Sequence, residues 1–383
     1  MTAQPAPVSA IVSEKYRRLV VPYLPSLHNL SQEAKDFTLA GERMLALPHD
    51  ASHIRLLRNF GIFAPAPVLH YYDWIGASPF EAQKQTVAGL TTNDRFFVLN
   101  GMGTGKTRSV LLAFDYLMKT NDATRMLVVA PLSTLSMVWV REAFRIAPHL
   151  KVNVLYGSRE KRLKMLADPA DIYVINHDGM EIVQEELIRR TDIDVVCIDE
   201  LAAYRNGSSK RFKRMRKLLA HKKRAWGLTG SPTPNAPTDA WAQTQLIAPW
   251  KAPMGFGAFR DSVMFKVSNF KWVAKPSALT TVRNIMQPSV RYTLDDVVEL
   301  PDLIVRQVDI TQGPTQAKVY TQLEKHLYSQ FTAGEITVQN AGILVNKLLQ
   351  VSMGWVYTDQ KGVLAFDNDH RLDMLVDSIE STD

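Results

Sequence analysis

Between about residues 76 and 248 the chain alternates short apolar runs with stretches whose apolar residues recur at helical spacing. The runs fall at 96–99, 126–130, 152–155, 172–175, 195–198 and 225–228. Each is almost wholly apolar rather than alternating, which marks a strand buried on both faces. Such strands separated by helices predict βαβ units, and hence an α/β fold: a parallel sheet with helices on both faces. The flanking chain reads differently. Residues 14–75 hold a strand-like run at 18–24 and a helical pattern at 51–60, closing in a Pro-rich turn region at 63–68. Residues 249–300 are irregular, aromatic and basic, and 301–383 open with a strand-like run at 303–310 before helical patterns at 314–331, 338–351 and 370–379. The expected organisation is a small accessory module (1–75), an α/β lobe (76–248), a helical protrusion and bridge (249–300) and a further segment (301–383).

Composition narrows the function classes. At 383 residues, 46% hydrophobic and 22% charged, the chain is an ordinary globular sequence with ample core material. Its single cysteine, Cys197, excludes an intrachain disulfide and a cysteine-built zinc site, and fits reducing surroundings such as the cytoplasm, or the nucleus in a eukaryote. No apolar run reaches the length of a membrane span. The net charge of +7 permits a polyanionic partner without demanding one. His49 and His53 share helical spacing but lack a third ligand, and read as surface or satisfied core residues.

The clearest chemistry lies in Asn100-Gly-Met-Gly-Thr-Gly-Lys-Thr107, between an apolar run and a helical stretch. A glycine-rich turn into a helix start lets backbone N–H groups converge on phosphate oxygens. Gly101, Gly103 and Gly105, with Thr104, leave room for the β-phosphate; Lys106 can reach the β- and γ-phosphates, and the Thr107 hydroxyl can ligate Mg²⁺. Asn100 stands where the strict phosphate-loop pattern wants a small residue. Downstream, Asp199 and Glu200 end another apolar run. Two acids there also suit the first turn of a helix. Following a phosphate loop in the same sheet, they suit a Mg²⁺-holding carboxylate, Asp199, and a base for the attacking water, Glu200. Ser133 and Thr134 open a helix after Pro131 and can meet a nucleic-acid phosphate, while Thr229 and Ser231 end a further run and can sense the γ-phosphate.

These segments, in this order, resemble the Swi/Snf-type ATPases of helicase superfamily two, including bacterial and phage-borne relatives. Phe80-Glu-Ala-Gln83 resembles the glutamine motif, Gly103-Thr-Gly-Lys-Thr107 motif I, and Ala130-Pro-Leu-Ser-Thr134 with Trp139 motif Ia. Val174-Ile-Asn-His177 is similar to the strand-end DNA contact, Asp199-Glu200 to motif II, and Leu228-Thr-Gly-Ser-Pro232 to motif III. Residues 289–301 resemble the bridge into a second RecA-like lobe. The resemblance implies a first RecA-like lobe at 76–248, adenine read by Gln83 near Phe80, ATP and Mg²⁺ as cofactors, His177 on DNA, and a duplex DNA track. The family's small residue and His after the two acids are replaced by Leu201 and Ala202. No candidate for motifs IV to VI is found, so the expectation is a chain truncated before the core of its second lobe, which a downstream segment or a protein partner would supply.

The window 205–224 carries ten Lys and Arg residues and no acid. It reads either as a solvated helix face or as a phosphate-facing surface in which Lys213, Arg214, Arg216 and Lys217 contact nucleic acid. The function expected is ATP-dependent translocation on DNA. The alternatives are a nucleotide- and DNA-binding module without turnover, because the arginine finger of the second lobe is missing, and an RNA helicase.

Overall fold

The computed structural model describes residues 9–268, 271–299, 305, 307–332, 338–358, 362–367 and 369–381. The chain divides into two compact units, Met1–Leu300 and Pro301–Asp383.

The first unit begins with strands Ile11–Ser13 (β1), Arg18–Pro22 (β2), Lys35–Leu39 (β3) and Glu42–Pro48 (β4), paired antiparallel in the order β1-β2-β4-β3. Alternate residues of β2 and β4 (Leu19, Val21, Leu45 and Leu47) are buried against Ile54 and Leu57 of the helix Ala51–Asn59. Asp50 caps that helix by accepting from the backbone N–H groups of Ser52 and His53. His49 and His53 are both buried and hydrogen-bonded: His49 Nδ1 to the Tyr71 hydroxyl at 2.8 Å, His53 Nε2 to Ser31 at 2.9 Å. Both are satisfied core residues.

A larger parallel sheet comes next, built from Arg95–Val98 (β5), Arg125–Ala130 (β6), Val152–Leu155 (β7), Ile172–Asn176 (β8), Ile193–Ile198 (β9) and Arg224–Leu228 (β10). Its two faces explain why the runs do not alternate. Phe97, Leu127, Val129, Tyr173, Ile175, Val196 and Ile198 pack into one core. Their neighbours Phe96, Val98, Met126, Val128, Val174, Val195, Cys197 and Trp226 pack into another. Every one of these strand residues is thus covered, whichever way it points.

After β10 come the hairpin Met264–Lys266 (β11) with Trp272–Ala274 (β12), and the two-residue strand Ser289–Val290 (β13). β13 adds a seventh parallel strand, giving the order β13-β5-β10-β9-β6-β8-β7. Two residues are too few to register as a hydrophobic run. Of the aromatic residues at 250–275, Phe259 is core, whereas Trp250, Phe256 and Phe265 are exposed.

In the second unit the helices Pro314–Thr332 and Val338–Ser352 precede a hairpin of Trp355–Tyr357 (β14) and Val363–Ala365 (β15) and the helix Asp369–Glu380. Val351, Val356 and Phe366 form its small core. The strand-like run at 303–310 lies partly outside the described residues, and its described part, 305 and 307–310, forms no strand. Among the described residues no helix is long and apolar enough to cross a membrane.

Trp226, fully buried in β10, anchors the second of the two sheet cores. Its truncation in W226A is expected to cost about 3–5 kcal/mol, as for other large-to-small core changes, with W226F costing less. Urea unfolding midpoints test this; equal losses for the two variants would show that ring packing is not what the site supplies.

Candidate nucleotide site and nucleic-acid interface

Parallel strands end at one edge of their sheet, so the segments leaving β5, β6, β8, β9 and β10 gather there. The glycine loop leaves β5, the acids leave β9, and β10 runs between them, bringing Thr229. The Thr229 N–H donates to the carbonyl of Val98 at 3.0 Å, fixing the tip of β10 beside the start of the loop.

The loop takes the shape that its glycines allow. Gly103 and Gly105 adopt φ of +78° and +81°, in the left-handed region where a Cβ is disfavoured. A Cβ on Gly105 would also overlap the Gln83 amide. Lys106 begins the helix Lys106–Lys119, and its ammonium donates to the carbonyls of Asn100 at 3.0 Å and Gly101 at 2.8 Å. The ammonium therefore lies within the turn's own cradle. Burial lowers its proton affinity, opposed by the charges of Asp199 and Glu200. The Thr104 hydroxyl donates to the Gly101 carbonyl at 2.9 Å.

Across β10, the Asp199 carboxyl is pushed up from its usual range by burial, against the Trp139 hydrogen bond, the Glu200 N–H and the Lys106 charge. Glu200 is raised by burial and then by the Asp199 charge. It sits at φ +51°, ψ +55°, left-handed for a residue with a side chain, a conformation that costs about 1–3 kcal/mol and clusters at functional sites. A partly desolvated carboxylate and a helix-start hydroxyl are hard-oxygen donors, and Thr107 with Asp199 fits a magnesium ion chemically. The turn, with its left-handed glycines and an ammonium folded over it, fits a polyphosphate.

Gln83 is buried, with both ends of its amide engaged: it accepts from the Phe80 N–H at 3.2 Å and donates to the Thr104 carbonyl at 3.2 Å. Phe80 is half-exposed at the start of the same helix. Thr229 is buried and its hydroxyl accepts from the Ser231 N–H at 3.3 Å, while the Ser231 side chain is exposed.

Two hydrogen-bonded connections between these segments are not stated by the sequence motifs. Asn100 donates to the Thr86 hydroxyl at 3.0 Å and accepts from the Tyr292 N–H at 3.0 Å, and the Gly101 N–H donates to the Tyr292 carbonyl at 2.8 Å. The segment at Tyr292 is thus pinned on the glycine loop. The only signal in the sequence was that Asn100 breaks the small-residue pattern. The second is Trp139, whose indole N–H donates to Asp199 Oδ2 at 3.0 Å.

The residues expected on nucleic acid divide. Ser133 is exposed, and the Thr134 hydroxyl donates to the Pro131 carbonyl at 3.0 Å. His177, which the resemblance implies on DNA, is not at the surface. It is buried, its Nδ1 bonds the Tyr204 hydroxyl at 3.0 Å, and desolvation takes its imidazole down to about 4, so it stays neutral and inward. Helix Lys210–Leu219 buries Phe212, Met215, Leu218 and Leu219. Its cations are not equivalent. Arg214 pairs with Glu181, Arg211 with Asp178 at 2.6 Å, and Lys217 with Glu185 at 2.7 Å, all acids of the preceding segment. Lys213 and Arg216 are exposed and make no ion pair among the described residues. Lys222 is buried, closing the end of helix Gln184–Arg189 by donating to the Leu187 carbonyl at 2.8 Å and the Arg190 carbonyl at 2.6 Å, and desolvation lowers it to about 8. The run that reads as one basic surface is therefore partly neutralised and partly structural.

Residues 91–355 match the family model described as SNF2-related domain. A putative protein, p41, of Acyrthosiphon pisum secondary endosymbiont phage 1 is 25% identical over 74% of this chain and 65% of its own length. The putative ATP-dependent helicase/translocase YwqA of Bacillus subtilis is 24% identical over 61% of this chain and 25% of its own. The ATP-dependent helicase FUN30 of Saccharomyces cerevisiae is 31% identical over 39% of this chain and 14% of its own. The chain thus spans less than two thirds of the length of these relatives. Among solved structures, the Sulfolobus solfataricus SWI2/SNF2 ATPase core in complex with dsDNA aligns at 21% identity and a TM-score of 0.48, over 80% of this chain and 65% of that one.

The raised Glu200 carboxyl has a stability consequence. Its folded affinity for a proton exceeds the unfolded one, so its favourable contribution is present below the unfolded value of 4.5 and lost as pH rises through the folded value. At neutral pH the ionised group is therefore a burden. E200Q is expected to melt higher than the unsubstituted chain at pH 7 without ligand, the gap closing as pH falls toward 4. A gap independent of pH would refute the electrostatic origin.

Proposed function

The chain belongs to the SNF2-related family, and we propose that it is an ATP-dependent motor on DNA, hydrolysing ATP with Mg²⁺ in response to the duplex. The observation that carries this reading is the electrostatic meeting of Lys106, Asp199 and Glu200 at one edge of a parallel sheet, behind a glycine-rich turn. In this reading residues 76–248 are the ATP-binding lobe, 1–75 an accessory module, 249–300 a protrusion and bridge, and 301–383 the start of a second lobe.

The turn from Gly101 through Gly103, Thr104 and Gly105 to Lys106 and Thr107 would hold the triphosphate, with the Lys106 ammonium exchanging its two loop carbonyls for phosphate oxygens. Thr107 and Asp199 would hold magnesium, which when bound neutralises phosphate charge. Glu200 would orient the attacking water and accept its proton. Burial favours that role, because it moves a carboxylate toward the operating pH where a general base is most effective. Gln83, at the helix start beside Phe80, would meet adenine and report it to the loop through the Thr104 carbonyl. Thr229 and Ser231 would sense the γ-phosphate. Ser133, Thr134, Lys213 and Arg216 would face DNA. Arg214 and Lys217 contribute less, because Glu181 and Glu185 already neutralise them.

ATP turnover measured with duplex DNA, single-stranded DNA, RNA and no polymer tests the proposal. Stimulation greatest with duplex, and loss of nucleotide binding in K106A, are expected. Turnover indifferent to every polymer would overturn the motor reading, and duplex binding without turnover would leave a passive module. The DNA surface has its own test. K213A with R216A should reduce the salt slope of duplex affinity by up to about 2, near 0.9 for each phosphate no longer neutralised. R214A with K217A should reduce it less; the reverse order would reject the division between free and paired cations.

A further inference from the structure

Asp199 has its two carboxylate oxygens held by different parts of the chain. Oδ1 accepts from the N–H of its neighbour Glu200 at 3.0 Å, a hydrogen bond that travels with the strand tip. Oδ2 accepts from the Trp139 indole N–H at 3.0 Å, a hydrogen bond that arrives from a different strand-to-helix segment. Each oxygen of an ionised carboxylate offers about two acceptor positions, so both keep one for a cation or its water. With the two donors on opposite oxygens, the plane of the carboxylate is fixed before any ligand arrives.

The element that carries Trp139 is unusual. Leu135–Val140 is wound as a π-helix and continues into the α-helix Arg141–Ile146. Such turns hold an extra residue, are rare, and occur often at functional sites. Rewinding this turn to α would rotate its residues relative to the flanking chain by up to about 100°, one residue's share of an α-turn. The indole, which is 1% exposed and packed in the second of the two sheet cores, would then lose its line to Asp199. Leu135 and Trp139 are the buried residues of the turn, while Ser133, Ser136 and Met137 are exposed on the same short segment. A single rigid side chain therefore spans from a segment with an exposed outer face to a half-buried carboxylate.

We propose that Trp139 is a positioning residue which, through its hydrogen bond to Asp199, couples engagement of DNA by the 131–140 segment to the carboxylate that takes magnesium. This rests on the reading of Asp199 as a cation ligand and of Ser133 and Thr134 as DNA-facing. In this proposal the indole acts through Asp199. It sets the carboxylate plane, and the winding of the π-turn determines whether it can. Coupling of this kind is reciprocal: DNA tightens Mg-nucleotide binding by the same factor by which Mg-nucleotide tightens DNA.

The test is binding, with the full chain, of a non-hydrolysable ATP analogue with Mg²⁺, in the presence and absence of a short duplex. Metal-free ADP serves as the reference ligand. In the unsubstituted chain, duplex should tighten the analogue by roughly 5-fold or more, the lower end of ordinary coupling. W139F keeps an aromatic ring and removes the N–H. Its coupling should fall to within about 2-fold of none, while its affinity for metal-free ADP, which rests on the loop, stays within the same margin. L135A, which opens a cavity in the same turn without touching Asp199, controls for packing, and melting temperatures establish that both variants fold. Full coupling in W139F, or equal loss in L135A and W139F, would overturn the role of Trp139. If the unsubstituted chain shows no coupling at all, the proposed function fails together with this inference, and the two failures are thereby told apart.

Discussion

Desolvation of three charged groups at one sheet edge is the constraint on which the site depends. Lys106, Asp199 and Glu200 are each moved by burial toward their neutral forms, and each is partly restored by an opposite charge among the others. A fold optimised only for stability would not keep a carboxylate and an ammonium partly out of water with a second, exposed carboxylate next to them. The left-handed backbone at Glu200 adds to the strain. Both features make sense where a highly charged ligand with its own cation completes the site, since such a ligand supplies the partners that the protein withholds.

The sheet makes this arrangement stiff. β10 lies between β5 and β9, so the distance from the turn to the acids is set by backbone hydrogen bonds on either side of one strand. The segments around the site are then tied to it by single side chains. Asn100 reaches both Thr86 and the bridge at Tyr292, Gln83 reaches the loop carbonyl of Thr104, and Trp139 reaches Asp199. Each tie joins elements far apart in sequence. A movement of the glycine loop therefore acts directly on the chain at Tyr292.

Electrostatics at the surface obey a different logic. In the window 205–224 the formal charge count overstates what a polyanion would meet. Acids at 178, 181 and 185 face three of its cations, and Lys222 is spent on the carbonyls that end a helix. Exposed ion pairs of this sort contribute little to stability, but they remove the field that long-range attraction needs.

The α/β architecture was legible in the sequence because strands buried on both faces must be almost wholly apolar, and the six runs are, Asn153 of the edge strand β7 excepted. The glycine turn was legible because only glycine readily tolerates the left-handed backbone found at Gly103 and Gly105, and the lysine and hydroxyl after it belong to the helix start. Relations between distant segments were beyond the reach of the sequence. β13 is two residues long and exists only because β5 offers an open edge, so no periodicity announced it. The resemblance implied His177 on DNA, but the packed chain buries it with its Nδ1 on the Tyr204 hydroxyl. The pairing of Arg214 and Lys217 with Glu181 and Glu185 depends on how two segments pack, and so does the reach of Trp139 to Asp199. Local chemistry is written residue by residue. Which charges are free, which carboxylate is held and which edge is covered are settled only when the chain closes on itself, because burial and partner distance are properties of the packed whole.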